Sequence, residues 1–564
     1  MKRSQLLILA VAVIAVIAAV LVQGGDGNDP GGGGVSAEPQ APKGAIAVSF
    51  PYSLEKEKLL KPLIRRFNDT APTVRGKQVF VEGEVVSSGE VEDKIANGSL
   101  RPVAWSPASS LWGRLLNFDA DRAYVRDRNP SIVRTPLVIA MWEPMAQALG
   151  YPKKAIGFAD VLRVATSGQG WGAVGRPEFG DFKLVHTNPD FSTSGLSAVV
   201  AEYYAATGKS EGLTEADVVA SEARLKVRSI ERSIVHYGDT TLFIADEMKK
   251  NGAGYASAVA MEEVTLLEFN RTRGAQQKLV AIYPKEGTFY SDNPFIILDA
   301  PWVSAAKRAG ARLFQRFLRE HVTPELAARS GFRPADRGEP LVPPIEPANG
   351  VDPSQPTRVL QPPEPRVLNR IRIAWRRDRK PANVMLVVDV SGSMEQENRL
   401  TKAKDGLGVF FDEAAPNDRL GLTSFSDVIK PLVPVEGRFH SVEQELRATV
   451  QTLSADGGTS VYDATADALK AVRSLDDDTR INAIVVLTDG DDTDSSLDAS
   501  DVIELVSNQD DSAPHVRVFT IAYSPEAAGA ARYLKDIAAG SGGKAYLGST
   551  ENIEAVYRSI SSFF

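Results

Sequence analysis

The sequence NVMLVVDVSGSM at residues 383–394 decides the fold of the C-terminal third of the chain. Five consecutive apolar residues, 384–388, end at Asp389 and are followed by a short turn that contains Gly392. A continuous apolar run of this length predicts a strand buried on both faces, as in a parallel sheet. An acidic residue at the carboxyl end of such a strand lies where open α/β sheets bind their ligands.

Helices and strands alternate along the chain after this first strand. Apolar residues at three- and four-residue spacing predict a helix over residues 400–410. Further strands are predicted at residues 420–425, 483–487 and 516–521, and further helices at residues 462–475 and 502–506. Because strands alternate with helices, the sequence predicts a doubly wound α/β sheet.

Two carboxylates and three hydroxyls fall at the predicted strand ends of this block. They are Asp389, Ser391, Ser393, Thr459 and Asp489. Oxygen ligands without His or Cys favour Mg²⁺ or Mn²⁺, and alternate residues of the first loop can point at one ion. Because hydroxyls add no charge, an ion held largely by them stays electrophilic and can accept a carboxylate from another molecule. The pattern therefore predicts a metal-dependent binding site for an acidic residue.

The motif D-x-S-x-S at residues 389–393, followed by Thr459 and Asp489, resembles the metal-ion-dependent adhesion site of von Willebrand factor A domains. The resemblance covers residues 381–564 and implies a six-stranded, mainly parallel sheet with a divalent metal at its top that binds a protein partner. The alternative is a domain that keeps these strand ends for folding alone. A second D-x-S-x-S, at Asp190, Ser192 and Ser194, follows the segment HTNP at residues 186–189, whereas the first closes a five-residue apolar strand. The acidic stretch at residues 489–494 lacks EF-hand spacing and is expected to be a solvated loop rather than a calcium site.

Strands and helices also alternate over residues 44–338. Strands are predicted at residues 45–50, 79–81, 135–141, 183–186 and 279–283, and helices at residues 59–67 and 303–318. This pattern over about 300 residues predicts two α/β lobes with a ligand cleft between them.

Three segments of this block, WSPASSLW (105–112), NPDFSTSG (188–195) and YPKEGTFYSDNPF (283–295), resemble bacterial extracellular solute-binding proteins. The resemblance is to the two-lobed type that includes molybdate- and sulfate-binding members. It implies a cleft lined by hydroxyls and by backbone N–H groups at helix starts, suited to oxyanions or small polar solutes. By position, the candidate ligand-binding residues are Ser49, Ser109, Ser110, Ser192, Thr193, Ser194 and Tyr237. Their alternative role is ordinary helix capping.

The remaining segments flank or connect these blocks. Lys2 and Arg3 precede an unbroken apolar run at residues 6–22, so residues 1–25 are expected to be an uncleaved single-pass membrane anchor. The alternative is a cleaved signal peptide and a secreted protein, and both place the bulk of the chain outside the cytoplasm. Residues 26–43 contain four consecutive glycines and predict a flexible tether.

Residues 339–380 are predicted to be a proline-rich linker, with nine prolines between residues 339 and 365. The linker is expected to end in a basic strand, because Ile371, Ile373 and Trp375 alternate with Arg370 and Arg372.

Composition narrows the function further. The 72 acidic residues outnumber the 64 basic ones, which argues against nucleic acid as a partner, and the chain has no cysteine.

S-x-x-K at residues 53–56 and S-D-N at residues 291–293 match penicillin-binding enzymes, but K-T-G is missing and the separation is long for one site. We therefore expect a binding or scaffold protein, not an enzyme. The alternative function is the substrate-binding component of an ABC-type transporter.

Overall fold

Two compact units make up the part of the chain that the structure describes. The structure is a computed structural model that describes residues 40–272, 274, 277–508, 514–524 and 528–564. The chain divides after Asp378, and the second unit is Arg379–Phe564. The predicted anchor at residues 1–25 lies outside the described residues, as does most of the predicted tether at residues 26–43. Within the described ranges, no helix has both the length and the apolar character needed to cross a membrane.

The strands of the first unit form three sheets among its described residues. The strands are β1 (Ile46–Tyr52), β2 (Thr73–Val74), β3 (Lys77–Val85), β4 (Ala104–Trp105), β5 (Val133–Trp142), β6 (Leu184–Thr187), β7 (Ile234–Gly238), β8 (Ala258–Glu262), β9 (Leu279–Ile282), β10 (Tyr290–Ser291), β11 (Ile296–Ile297) and β12 (Arg333–Pro334). One sheet has the order β1-β3-β2, and β4 pairs with β11. The largest has the order β10-β5-β8-β6-β7, with β9 and β12 also paired to β5.

Helices cover these sheets. They are α1 (Glu57–Asp69), α2 (Ser88–Ala96), α3 (Ser110–Asp119), α4 (Glu143–Ala148), α5 (Phe158–Ala165), α6 (Thr193–Thr207), α7 (Glu215–Val219), α8 (Ser221–Arg232), α9 (Thr241–Asn251), α10 (Glu263–Arg271), α11 (Ala305–His321), α12 (Pro324–Arg329) and α13 (Pro365–Asp378). Each large sheet has its own apolar core. Phe50 of β1 stacks on Phe295 at 4.9 Å between ring centroids, whereas β5 is buried along its whole length in the other sheet. The predicted two-lobed α/β architecture is confirmed.

The second unit contains one sheet flanked by helices in its described residues. The strands are β13 (Ala382–Asp389), β14 (Arg419–Phe425), β15 (Ile429–Val433), β16 (Ile481–Thr488), β17 (Val516–Ala522) and β18 (Ala545–Leu547). The helices are α14 (Arg399–Glu413), α15 (Phe439–Thr452), α16 (Val461–Arg473), α17 (Ala499–Ser507), α18 (Ala528–Gly540) and α19 (Ile553–Ser561). The strand order is β15-β14-β13-β16-β17-β18, and only the β14–β15 pair is antiparallel. The predicted doubly wound, six-stranded, mainly parallel sheet is confirmed.

The basic segment predicted as a strand is a helix, so that prediction was wrong. Residues 370–376 lie inside α13, which begins at Pro365, a residue favoured in the first helical turn. The buried residues of α13 are Val367, Leu368, Ile371, Ala374, Trp375 and Asp378, which is helical spacing. Ile373 is 47% exposed. The alternation over residues 371–375 was too short to distinguish a strand, with a period of two residues, from a helix, with a period of about 3.6. The two adjacent apolar residues 367 and 368 favour the helical period.

The proline-rich residues before α13 pack on the first unit. Ile345, Val351 and Leu360 are buried, and the Leu360 N–H donates to the carbonyl of Thr288 at 2.8 Å. Buried apolar side chains hold this segment in place, so it does not act as a free spacer. The first unit extends to Asp378, so it includes residues 339–378 of the predicted linker.

A matched pair of substitutions in α13 tests the helical assignment. Ile371→Ala is expected to lower the free energy of unfolding by about 2–5 kcal/mol, because it empties a buried site. Ile373→Ala should change it by only about 0.5 kcal/mol, because about half of this residue is exposed. Urea denaturation of both variants measures the difference. Equal losses would contradict the helix and favour the strand.

Candidate functional site

The first candidate site begins at the carboxyl end of β13. Asp389 is fully buried there, and its Oδ1 accepts the Ser391 N–H at 2.7 Å. Its Oδ2 accepts the hydroxyl of Thr488, at the end of the neighbouring strand β16, at 2.6 Å. Burial raises the pKa of Asp389 to about 6, although these hydrogen bonds act in the opposite direction. The carboxylate is therefore fixed in direction before any ligand arrives.

The hydroxyls and the second carboxylate continue this arrangement. The Oγ atoms of Ser391 and Ser393 lie 3.0 Å apart, and the Ser393 hydroxyl donates to Asp489 Oδ1 at 2.6 Å. Neighbouring oxygens around an octahedral Mg²⁺ lie about 3 Å apart, because the metal–oxygen distance is about 2.1 Å. The donor atoms therefore already have the spacing of ligands of one such ion, and the residues fit the metal that the motif implies.

Arg399 adds a cation that sequence reasoning missed. Its Nη1 donates to Asp489 Oδ2 at 2.8 Å, and both side chains are buried. The guanidinium compensates the buried charge of Asp489 and leaves Oδ1 to accept the Ser393 hydroxyl. No motif marks this arginine, which lies at the start of α14, so its role could be read only from the structure.

Thr459 reaches the same edge of the sheet through its loop. The Gly392 N–H donates to the Gly457 carbonyl at 3.0 Å, which holds the loop against the D-x-S-x-S turn. The Thr459 N–H donates to Asp494 Oδ2 at 3.0 Å. A Cβ on Gly458 would lie 1.8 Å from that oxygen, so the close approach requires glycine. Asp494 thus positions Thr459, whereas the sequence had predicted only a solvated acidic loop.

The second D-x-S-x-S is built differently. The Asp190 carboxylate accepts the Nε–H groups of Arg372 and Arg376, each at 2.7 Å, from α13. Burial alone would raise the pKa of Asp190, but the two arginines hold it below its usual value. An aspartate whose two oxygens are both taken by guanidinium groups offers little to a metal. The same five-residue pattern therefore makes a metal-type arrangement in one unit and an ion-pair network in the other.

The second candidate site is a cleft in the first unit. Its lining residues are Ser53, Leu54, Glu55, Ser87, Ser88, Ala108, Phe191, Ser192, Thr193, Asp239, Thr240, Thr241, Leu242 and Glu262. Most of them follow the carboxyl ends of β1, β3, β6, β7 and β8. The first residues of α2, α6 and α9, which are Ser88, Thr193 and Thr241, all reach the cleft. Three helix N-termini therefore direct backbone N–H groups towards a ligand.

Two of the seven predicted ligand-binding residues, Ser192 and Thr193, lie in this lining. The other five are engaged elsewhere. Ser49 Oγ accepts the Val103 N–H, Ser109 Oγ caps α3, the Ser110 N–H donates to Asp292, Ser194 Oγ bonds Thr187, and the Tyr237 hydroxyl donates to Glu231. Thr193 Oγ1 also accepts the Trp112 Nε1–H at 2.7 Å. For Ser109, the structure displays the capping geometry that was its alternative role.

Three carboxyl groups of the lining were not predicted, namely Glu55, Asp239 and Glu262. No local pattern marks a carboxylate that will face a cleft, so sequence offered no signal for them. Burial raises the pKa of Glu262 to about 8, so this group is largely protonated and neutral at neutral pH. Arg and Lys do not occur among the described lining residues. The cleft is therefore acidic and rich in hydroxyls.

The S-x-x-K and S-D-N segments do meet in space, although their separation had argued against a common site. Lys56 is fully buried, and its Nζ donates to Asn293 Oδ1 and to the Pro107 carbonyl, each at 2.9 Å. Burial lowers the pKa of Lys56 to about 8. The Ser53 hydroxyl, however, donates to Glu55 Oε1 at 2.5 Å. Lys56 thus connects segments that lie far apart in the sequence.

Comparisons with known proteins match both units. A family model described as bacterial extracellular solute-binding protein matches residues 52–333, and one described as von Willebrand factor type A domain matches residues 384–491. An uncharacterised protein of Mycobacterium tuberculosis (strain H37Rv) is 23% identical over 355 residues, which are 60% of this chain and 50% of that protein. The chain thus spans about half the length of the curated relatives it matches.

Solved structures resemble each unit at low sequence identity. The periplasmic binding protein AfuA from Actinobacillus pleuropneumoniae, with fructose-6-phosphate bound, is 13% identical, and the match covers 58% of this chain and 97% of that chain with a TM-score of 0.40. A von Willebrand factor type A protein from Catenulispora acidiphila is 18% identical, and the match covers 32% and 42% with a TM-score of 0.27.

Glu262→Gln is expected to reduce the loss of stability that the first unit suffers as pH rises. The pKa of Glu262 is about 8 in the folded chain, whereas its ordinary value, expected in the unfolded chain, is 4.5. Between these two pH values the folded chain retains a proton that the unfolded chain releases. The resulting stabilisation is complete below about pH 4.5 and disappears as pH rises to about 8. Because Gln is neutral at both pH values, the variant does not lose stability through this residue as pH rises.

The free energy of unfolding of the variant relative to wild type should therefore rise by on the order of a few kcal/mol between about pH 5 and about pH 8. Urea denaturation at the two pH values measures it. Glu215→Gln, at an exposed glutamate, controls for the substitution itself. Parallel pH profiles for wild type and Glu262→Gln would contradict the buried, protonated state.

Proposed function

Because this chain belongs to the bacterial extracellular solute-binding proteins and carries a von Willebrand factor type A domain, we propose that it captures an acidic residue of a protein partner through a divalent metal. The observation that carries the proposal is the hydrogen-bonded set formed by Ser391, Ser393 and Asp489 beside Asp389. Ser391, Ser393 and Asp489 would hold Mg²⁺ or Mn²⁺, with Asp389 and Thr459 completing the site.

The charges of the site favour an acidic partner. Asp389, Asp489 and Arg399 together carry a formal charge of minus one when both carboxylates are ionised, and a divalent ion would reverse its sign. Hydroxyl ligands leave the ion electrophilic, so a carboxylate from outside is the ligand that best neutralises it. The partner would therefore present Asp or Glu to the carboxyl edge of the sheet.

The family and the N-terminal sequence both support a place of action outside the cytoplasm. Solute-binding proteins of this family are extracellular, and the apolar run at residues 6–22 supports export of the chain. We propose that the protein works outside the cytoplasm, held at the membrane by residues 1–25. Both matched families are binding families, which supports a binding role in preference to an enzymatic one.

The double variant Ser391→Ala, Ser393→Ala is expected to weaken Mg²⁺ and Mn²⁺ binding at least tenfold, because two neutral ligands are lost. Calorimetric titration of the full chain measures this. The chain itself supplies a matched control in Ser192→Ala, Ser194→Ala, which removes the same two serines from the second D-x-S-x-S, where Asp190 is held by arginines. Equal metal affinity in wild type and both double variants would refute the metal site.

The same proteins test the capture of a partner. Proteins retained from an envelope extract by wild type in Mg²⁺ should be released by a chelator and should not be retained by Ser391→Ala, Ser393→Ala. The control double variant should retain them. Capture that withstands both the chelator and the loss of the two serines would show that the partner binds elsewhere and would contradict metal-dependent capture. The calorimetric titration would still decide separately whether the metal binds.

A second candidate function, the solute receptor of an ABC-type transporter, is favoured by the cleft of the first unit. Three helix N-termini and at least six hydroxyls face it, as do Glu55 and Asp239. A bare oxyanion such as molybdate would meet these carboxyl groups and be repelled. We propose a small polar solute that offers hydroxyl or amino groups to the carboxylates and oxygen atoms to the helix N-termini.

Gly89→Ala is expected to weaken solute binding by holding the cleft open. The Gly89 N–H donates across the cleft to the Phe191 carbonyl at 3.0 Å, and a Cβ there would lie 2.2 Å from the Asp190 carbonyl oxygen. Thermal shifts with a panel of sugars, amino-sugars, sugar phosphates, sulfate and molybdate measure binding. Gly254→Ala is the control, because its Cβ would enter open space. Stabilisation by molybdate alone would contradict the proposed solute chemistry, and equal shifts in wild type and Gly89→Ala would contradict the role of closure.

A further inference from the structure

A third group of polar side chains is buried in the first unit, outside the cleft lining. His186 of β6, Glu202 of α6 and Glu231 of α8 each offer one ligand atom, and these atoms lie within 4.8 Å of one another. Their exposed fractions are 1%, 2% and 0%. Three elements distant in sequence thus bring an imidazole and two carboxyl groups together inside an apolar unit, where unpaired charge is costly.

Hydrogen bonding determines what His186 presents to the group. Its Nδ1 lies 2.8 Å from the Thr187 carbonyl oxygen, which can only accept, so Nδ1 carries hydrogen. In the neutral ring, Nε2 then offers a lone pair, and it lies 3.1 Å from Glu231 Oε1. A lone pair and a carboxylate oxygen repel each other unless a cation or a proton lies between them. A ring nitrogen fixed by a backbone carbonyl is the usual support of a metal-binding histidine.

Glu231 is held in the same manner. Its Oε2 accepts the Tyr237 hydroxyl at 2.7 Å and the Trp375 Nε1–H, from α13, at 3.0 Å. Both donors act on one oxygen and direct the other, Oε1, at His186. Carboxylates that bind metals are typically oriented by outer hydrogen bonds of this kind.

Glu202 provides a second observation, independent of the geometry of His186 and Glu231, that points to a bound ligand. Its Oε2 is buried and has no hydrogen-bond partner among the described residues. Such an atom is rare in a folded protein and points to a bound ion or water. A cavity of about 20 Å³, which is enough for one water molecule, has both His186 and Glu202 in its wall, so water can reach the group.

We propose that His186, Glu202 and Glu231 bind a divalent cation of the zinc class, with water from the cavity as the fourth ligand. One imidazole and two carboxylates are a ligand set that suits Zn²⁺ and related transition metals. Zinc–ligand distances of about 2.0–2.2 Å place tetrahedral ligand atoms roughly 3.3 Å apart. The 3.1 Å between His186 Nε2 and Glu231 Oε1 is close to this spacing. The site would also fix α13 to the unit through Trp375.

The competing occupant is a proton. Burial raises the pKa of Glu202 well above its usual value, and Glu231 raises that of His186 despite the opposing effect of burial. In that case the imidazolium pairs with Glu231, and Glu202 stays protonated. A metal and this protonated state predict different responses to substitution, because Gln replaces a protonated glutamate well but cannot replace a metal-binding carboxylate.

Co²⁺, as a spectroscopic substitute for zinc, distinguishes the two. The full chain, stripped with a chelator, should take up one Co²⁺ with the intense visible bands of a four-coordinate site that includes nitrogen, and Zn²⁺ should displace it. Glu202→Gln should lower the affinity at least tenfold and abolish these bands. Glu92→Gln, at another buried glutamate with an unpartnered oxygen in the same unit, should leave them unchanged.

The strand-end metal site cannot be mistaken for this one, because its ligands are all oxygen. Ser391→Ala, Ser393→Ala should therefore leave the Co²⁺ bands intact. Circular dichroism checks the fold of each variant, and His186→Gln serves as the second test if Glu202→Gln does not fold. Absence of the bands in the wild type, or bands of equal strength in Glu202→Gln, would overturn the proposal and assign the cluster to the proton.

Discussion

The whole structure depends on how each buried carboxylate is compensated. A carboxylate loses its hydration on burial and is tolerated only when hydrogen bonds or a cation replace it. Asp489 is compensated by Arg399, Asp190 by Arg372 and Arg376, and Asp389 by hydrogen bonds without a cation. Burial outweighs the hydrogen bonds of Asp389 and raises its pKa to about 6. Of these three carboxylates, Asp389 is thus the one that no guanidinium group of the chain compensates.

Helix α13 illustrates how the same constraint organises the first unit. Its polar and aromatic residues supply partners to carboxylates elsewhere in the unit, with Arg372 and Arg376 on Asp190 and Trp375 on Glu231. Asp190 directly precedes the cleft residues Phe191, Ser192 and Thr193. The last helix of the unit thus holds a wall of the cleft in place, which explains why this segment is packed on the unit and does not act as a linker.

The sequence was sufficient where structure is local and insufficient where it depends on distant contacts. Apolar runs that end in polar residues predicted β13, β14, β16 and β17 and therefore the order of the strand-end residues. The cleft was harder, since its carboxyl groups have no local signature. Lys56 and Asn293 form a hydrogen bond although 237 positions separate them in the sequence. That separation was the reason why a common site was not predicted for them. For Arg399, only the fold reveals the bond to Asp489.

The two D-x-S-x-S segments show why the motif alone decides so little. Both place an aspartate before a serine-rich turn at the carboxyl end of a strand, β13 in one unit and β6 in the other. In both, the two serine hydroxyls lie 3.0 Å apart. The difference lies in the neighbours, because two guanidinium groups occupy Asp190 whereas Asp389 receives only a backbone N–H and a hydroxyl. Cations of the chain therefore occupy the aspartate of the second motif, whereas the aspartate of the first keeps only hydrogen-bond partners.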